Sequence, residues 1–447
     1  IYEPESVIYA SADGTADGKG TKESPLDIQT AITYCQAGQA VYLLEGTYQL
    51  SRSTGVWHGN DGTEEKNKML MACPDNTGDV IIDFADPSNG KATGNTFDFS
   101  GDYWYVSGIK FLNGGGVRVG GNHNILENCD FAGHTNSGLS ISRTNSANTI
   151  EEWPSYNQII SCNAYNNRDA SDNNADGFAA KLTCGVGNVF KYCVAAYNAD
   201  DGWDLFAKGS TGPIGEIEIY DSLCYANGFA YDMETGKIEK TKGDGNGFKM
   251  GGSGIPVAHA VYNSYSFGNA ANGFTNNSDP LGTYVNCTGF NNGGSNLELH
   301  VYTGVTPQFT VKEFKSFADD SYQELDGLLS ATESEATAVC IDSVRSTSNY
   351  FYDAKTGVSS NSRGEALTAE SFYSVAGMAD YINGGIASVK RTENGAIDLG
   401  DFLKYRKPSS SSDDDDDDDS SSGSSSSSST SSSSAYENRE TLNSAEA

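Results

Sequence analysis

Gly187-Asn188-Val189-Phe190-Lys191-Tyr192-Cys193 is one statement of a phrase that the chain repeats. Variants stand at Tyr156-Asn157-Gln158-Ile159-Ile160-Ser161-Cys162 and at Glu218-Ile219-Tyr220-Asp221-Ser222-Leu223-Cys224, and more loosely at residues 122–129 and 283–287, which end in Cys129 and Cys287. Cys162 to Cys193 and Cys193 to Cys224 are each 31 residues apart, and Ser266 takes the same slot before Cys287. A second phrase falls once in each unit: Asn174-Ala175-Asp176-Gly177-Phe178, Ala199-Asp200-Asp201-Gly202-Trp203, Gly245-Asn246-Gly247-Phe248 and Ala271-Asn272-Gly273-Phe274. Each unit is too small to close a core alone, whereas stacked units bury a continuous one. Short alternating strands with Gly-Asn turns and inward Phe or Trp predict an all-β fold, a right-handed parallel β-helix. In such a solenoid, equivalent positions lie about 4.8 Å apart, so sequence columns become physical ladders.

Outward from the repeats, Ser24-Pro25-Leu26-Asp27-Ile28 reads as a helix opening with Ser24 as N-cap and Pro25 in the first turn. Leu26, Ile28, Ala31 and Ile32 give that capping helix an apolar face, and residues 40–48 read as a strand ending in a Gly turn. At the other end, residues 409–434 are almost pure Ser around seven consecutive aspartates, 413–419. Such a tract cannot bury apolar surface and repels itself. The expected organisation is a β-helix domain over 1–407, with 296–407 as last coils, a cap and a short helix-like stretch at 368–375, then a Ser/Asp linker over 408–434 and a short tail over 435–447. Linkers of this kind usually join modules of secreted proteins, so export is expected.

The 447 residues carry 28 basic and 60 acidic side chains, a net charge of −32. That balance argues against nucleic acid as a partner, because phosphate contacts need clustered Lys and Arg. No apolar run of about 18 residues suggests a membrane span, and a monomer is expected. The Cys residues of the repeat read as one packed column of small apolar side chains, while Cys35 and Cys73 could pair.

With each Gly-aromatic pair as register, the residue before Gly is Asp176, Asp201, Asn246 and Asn272, and the residue after the aromatic is Ala179, Asp204, Lys249 and Thr275. Stacked Asn has a structural explanation in amide hydrogen bonds along the axis. Asp176, Asp200, Asp201 and Asp204 on neighbouring coils would repel one another, and a hard divalent cation, Ca²⁺ above all, resolves the repulsion. Asp172, Asn174 and Asp176-Gly177 imitate the start of an EF-hand loop, but its twelfth position is Thr183 rather than Glu. Lys249 follows Asp204 in its column. It is either the partner of a structural ion pair or, beside a dication that disfavours its charged form, a general base.

These three phrases, read as Asn174-Ala175-Asp176-Gly177-Phe178, Asp200-Asp201-Gly202-Trp203-Asp204 and Gly245-Asn246-Gly247-Phe248-Lys249-Met250-Gly251-Gly252, resemble the signature of the family 9 polysaccharide lyases, pectate lyases built as parallel β-helices. The looser resemblance runs from Asp13-Gly14-Thr15 to about residue 295. It implies Ca²⁺ ligation by Asp176, Asp200, Asp201 and Asp204, Lys249 as Brønsted base, and polygalacturonate or pectin as the polymer cleaved by β-elimination. Arg168, Lys181 and Lys208, close in sequence to these acids, either pair with neighbouring uronates or make surface salt bridges, and the insertion between Asn227 and Gly245 is expected to wall the cleft. A β-helical polygalacturonase-type glycosidase and a non-catalytic polysaccharide-binding solenoid are the alternatives.

Overall fold

In Asn188–Lys191, Asn188 and Phe190 are buried while Val189 and Lys191 are half-buried, the period of two that a strand with one covered face requires. Tyr192, at φ 57°, turns the chain in a single left-handed residue, and Val194–Ala196 follows. Tyr197, at φ 55°, makes a second corner before Trp203–Asp204 completes the coil. The first corner recurs at Asn128, Ser161, Asp221, Asn263 and Asn286 with φ between 48° and 53°. Asn and Asp tolerate this conformation better than most residues, which accounts for much of the polar character of these turns. The structure is a computed structural model that describes residues 2–232, 234–319 and 346–407.

Stacking these coils yields three parallel sheets, of eleven, ten and nine strands in the order that the chain meets them. The fold is the expected right-handed parallel β-helix. The first sheet runs from Ser6–Ala10 to Thr310–Lys312, the second from Gly46–Gln49 to Lys315–Phe317, and the third from Thr54–Val56 to Leu297–Glu298. A single hydrophobic core threads the bore from Ala10 to Phe314. Along its third-sheet side, Phe178, Trp203, Phe248 and Phe274 stack with ring centroids 4.7, 4.8 and 4.9 Å apart. The Gly before each ring is a packing requirement. A Cβ on Gly177 would stand 2.7 Å from the Gly202 carbonyl oxygen, and one on Gly202 would stand 2.5 Å from Cys224 Sγ.

The second corner carries a buried amide ladder. Asn167, Asn198, Asn227, Asn269 and Asn292 are wholly buried, and each Nδ2 donates to the next Oδ1 at 2.9 Å. The Oδ1 atoms of Asn227 and Asn269 also accept backbone N–H groups of the preceding coil, so polar groups that burial would penalise are satisfied. A shorter ladder, Asn124, Asn157 and Asn188, flanks the first sheet. Two histidines stand in for ladder amides. Nδ1 of His134 accepts the Gly114 N–H and Nδ1 of His259 accepts the Ile217 N–H, each at 3.0 Å.

Cys129, Cys162, Cys193 and Cys287 keep the expected column, with Ser222 and Ser264, rather than Cys224 and Ser266, in the slots between. Asp130 pairs with Asn163 and then with Val194, which aligns Cys129, Cys162 and Cys193, but the next coil is two residues shorter and brings Ser222 into line. Cys224 pairs instead with Ala195 and with Ser266. Cys35 and Cys73 are separate buried thiols. The N-terminal helix is Ile28–Tyr34, and its N-cap is Asp27, which accepts the Thr30 N–H at 2.9 Å, rather than Ser24. The 40–48 segment is likewise two strands, Gln39–Leu43 and Gly46–Gln49, in different sheets.

Residues 346–407 strap the second sheet as well as following its last coil. Leu367, Phe372, Met378, Tyr381, Ile382 and Phe402 pack on Tyr225, Phe267, Phe290 and Phe317. The Tyr225 hydroxyl donates to the Gly385 carbonyl at 2.8 Å, and Arg391 reaches the Tyr192 carbonyl and Asn163 Oδ1, both at 2.7 Å. The helix-like stretch at 368–375 is one short turn, Ala369–Ser371, and the regular helix lies later, at Met378–Gly384. These elements and the solenoid belong to one compact unit, Ile1–Arg406. The Ser/Asp tract and the tail lie outside the described residues. No helix among the described residues is long and apolar enough to cross a membrane.

Burial lowers the His134 imidazole to about 4 and the His259 imidazole to about 3, from an ordinary 6.5. Both pKa values are lower folded than unfolded, so this stabilisation is complete above pH 6.5 and drains as the pH falls toward 4, by about 3 kcal/mol per histidine. Protonation would also turn an Nδ1 acceptor against a backbone N–H. His134→Asn, which extends the amide ladder by one rung, is expected to move the midpoint of acid unfolding, followed by circular dichroism, to lower pH; an unchanged midpoint would contradict the ladder assignment.

Candidate active site

Two adjacent coils present the acids. Ala179 pairs with Asp204 and Asp204 with Lys249 on the outer face of the third sheet, while Phe178, Trp203 and Phe248 anchor the same rungs in the core. One turn earlier, Asp176 and Asp201 hold the corner. The Asp201 N–H donates to Asp176 Oδ1 at 3.2 Å, and Asp201 Oδ1 accepts both the backbone N–H and Nδ2 of Asn246 at 2.9 Å. Column Asn246 thus serves as a donor to the acid beneath it.

The carboxylates form two overlapping groups that share Asp201. In one, oxygens of Asp176, Asp201 and Asp204 lie within 4.8 Å of one another, and in the other those of Asp200, Asp201 and Asp244 do. Asp200 and Asp204 therefore sit at opposite ends of the cluster rather than in one ring. Asp244 escaped the sequence reading because it closes an insertion whose length breaks the column register. The Asp244 N–H donates to Asp200 Oδ1 at 2.6 Å, and its carboxylate reaches Lys249 Nζ at 3.2 Å.

Burial and then mutual repulsion set the electrostatics. Asp200 is pushed up to about 7 by burial and by the Asp176 charge, and Asp201 is raised by burial against the pull of Lys249. Asp176 is raised as well, again chiefly by burial. Two ammonium groups relieve this strain. Lys249 Nζ lies 3.0 Å from Asp201 Oδ2, and Lys181 Nζ bridges Asp176 Oδ2 at 2.8 Å and Asp204 Oδ2 at 2.6 Å. Burial disfavours both charges, but the surrounding carboxylates outweigh it and raise both lysines above their usual range.

The donors in both groups are carboxylate oxygens alone, the set that a hard divalent cation takes. Lys181 already marks the place, since its ammonium fills the gap between two carboxylates that such an ion would fill. Of the two readings of Lys181, uronate partner or salt bridge, the structure shows the salt bridge, made inside the cluster. Lys208 lies with Lys181, Lys249, Phe206 and Arg143 along a cleft of about 690 Å³. Arg168 does not join it, being paired with Asp172 at 2.7 Å. Nor does the insertion wall the cleft. It folds into the hairpin Phe229–Tyr231 and Ile238–Lys240, and the Tyr231 hydroxyl donates to the Asn383 carbonyl of the strap.

Residues 8–304 match a family described as Pel9A-like, right handed beta helix region. A pectate lyase L of Thermoclostridium stercorarium is 44% identical over 83% of this chain and 28% of its own length. A pectate lyase L of Paenibacillus polymyxa is 34% identical over 90% of this chain and 82% of its own length. This chain thus spans little more than a quarter of the first relative and most of the second. Among solved structures, that of pectate lyase Pel9A superposes with a TM-score of 0.67 at 25% identity, covering 91% of each chain.

A divalent cation held by these acids would take the gap that the Lys181 ammonium fills, so Lys181→Met is expected to bind Ca²⁺ more tightly than the parent, by roughly tenfold, in isothermal titration calorimetry. Weaker binding would show that Lys181 supports the cage rather than competing for it.

Proposed function

This chain belongs to the Pel9A-like right-handed β-helix family, and from that membership we propose that it is a Ca²⁺-dependent pectate lyase that cleaves α-1,4-polygalacturonate by β-elimination. The observation that carries the reading is the rung on which Asp204 pairs with Lys249 above the buried Asp176 and Asp201, at the edge of an open cleft. Bound among the acids, Ca²⁺ would supply a bridge to the C5 carboxylate of a uronate, which acidifies the C5 proton and favours the developing negative charge.

The protein's own part is positional. Asp176, Asp201 and Asp204, with Asp200 behind them, would hold the cation, and the buried Asn246 amide keeps Asp201 in place. Lys249, committed to Asp201 in this structure, would lose that anchor once the carboxylate oxygens are engaged elsewhere. Without the carboxylate charge that holds it as an ammonium, Lys249 would release one proton to solvent; its neutral amine then takes the C5 proton, the freed electron pair forms the C4–C5 double bond, and the C4–O bond breaks with its pair on the leaving oxygen, which is protonated from solvent. Water attacks no carbon, so the two-carboxylate geometry of a glycosidase is not needed. Lys208, at the cleft margin, is proposed to pair with a neighbouring uronate.

Export and a linker from residue 408 belong to the same proposal, supported by the Ser/Asp composition of residues 409–434, and a monomeric state is proposed with them. Incubation with polygalacturonate should release products that absorb in the ultraviolet at the new double bond, and a chelator should stop their formation. Lys249→Ala is expected to lower the rate by at least about a hundredfold, the scale of a lost general base, with Ca²⁺ binding retained or tightened; substantial residual turnover would reject the base assignment.

A further inference from the structure

The row of outward side chains that contains Asp204 and Lys249 continues in both directions. Strand register places Asp98, Arg118, Ser140, Ala179, Asp204, Lys249, Thr275 and Glu298 on successive rungs of the third sheet. The floor beside the acid cluster is low, because Ser140 and Ala179 are too short to fill it, and both line the cleft. Where small residues give way, the next rung toward the N-terminus carries a cation, Arg118, with Asp98 on the rung beyond it. Arg118 Nε donates to Asp98 Oδ1 at 2.7 Å. Asp98 is itself buried, and its other oxygen accepts the Thr96 hydroxyl at 2.8 Å. Arg118 is thereby held by one edge of its guanidinium. Its side chain stays 39% exposed, and among the described residues no protein acceptor engages Nη1 or Nη2.

The opposite end of the row has the other sign. Glu298 is exposed, and its carboxylate accepts Asn272 Nδ2 and the Thr275 hydroxyl, both at 2.9 Å. A polyanion lying along the row is repelled there and attracted at Arg118. Resting on the lyase reading, we propose that Arg118 forms a distal subsite for the carboxylate of a uronate three sugars from the one held at the acid cluster, so that the bound chain extends toward the N-terminal coils. The spacing fits. Three rungs span about 14 Å, and a 1,4-linked hexuronan advances by on the order of one interstrand distance per sugar. A guanidinium with a free edge suits a carboxylate better than an ammonium would.

The test is a chain-length series measured by calorimetry with Ca²⁺ present, in the Lys249→Ala background where ligand is not consumed. Affinity should step up from trigalacturonate, too short to span the row, to tetragalacturonate. Arg118→Gln should erase that step, weakening the tetramer and hexamer by roughly tenfold and leaving the trimer unchanged. Equal weakening at all lengths, or none, overturns the subsite. So does a flat series in the Arg118 parent, an outcome that needs no Arg118 variant to fold. A wild-type protein that yields no unsaturated product would overturn the lyase reading instead, and the binding series would still decide the subsite.

Discussion

The hydrogen-bond spacing between parallel strands governs this protein. Because each coil must meet the next at the interval set by N–H and C=O groups, any residue type that recurs in register becomes a continuous file of side chains. The same constraint builds the buried amide ladder, the aromatic stack of the bore and the acid cluster. The first two files are stabilising: amides satisfy one another and rings pack face to face. The third is costly, since it repeats negative charge at the closest interval that the fold allows, and the cost is met by lysines drawn in from the same surface.

How far the sequence could be read depends on where register is enforced. The Gly-aromatic phrase was legible because no side chain fits at Gly177 or Gly202 and the ring beside it must fill the bore. Ala179, Asp204, Lys249 and Thr275 therefore align in the sequence as they pair on neighbouring strands. The cysteine column was legible except at Cys224. Equal spacings of 31 suggested that Cys193 and Cys224 stack, but a column position tolerates Cys or Ser equally well, and a shorter coil shifts Cys224 to its neighbour. The long amide ladder was missed because its Asn residues sit at a corner among many other Asn. Arg168 misled because closeness in sequence to the acids says nothing about which way a loop turns.

Charge placement also separates the members of the site. Asp176 and Asp201 are wholly buried, Asp176 accepting the Ser137 hydroxyl and the Asp201 N–H and Asp201 accepting the Asn246 N–H, so their positions are fixed by the fold. Asp244 and Lys208 stand on loops at the margin and are held by little else. Rigid acids in the centre and adaptable charges at the rim suit a surface that grips one ion tightly while sliding along a flexible polymer. The overall acidity of the chain is no obstacle to an anionic ligand when the local row contains its own cations.

The strap along the second sheet alters how such a stack can come apart. A solenoid of identical turns tends to peel from its free end, one repeat at a time. Here the segment beyond the last coil doubles back to grip turns as early as the one bearing Ser161, whose hydroxyl meets the Gly395 carbonyl at 2.9 Å. Loosening the terminal turn would therefore tug on lashings halfway up the spindle. Loss of order in this protein must be shared across distant turns, which ties the resilience of the rungs that carry the acid cluster to a stretch of chain on another face of the coil.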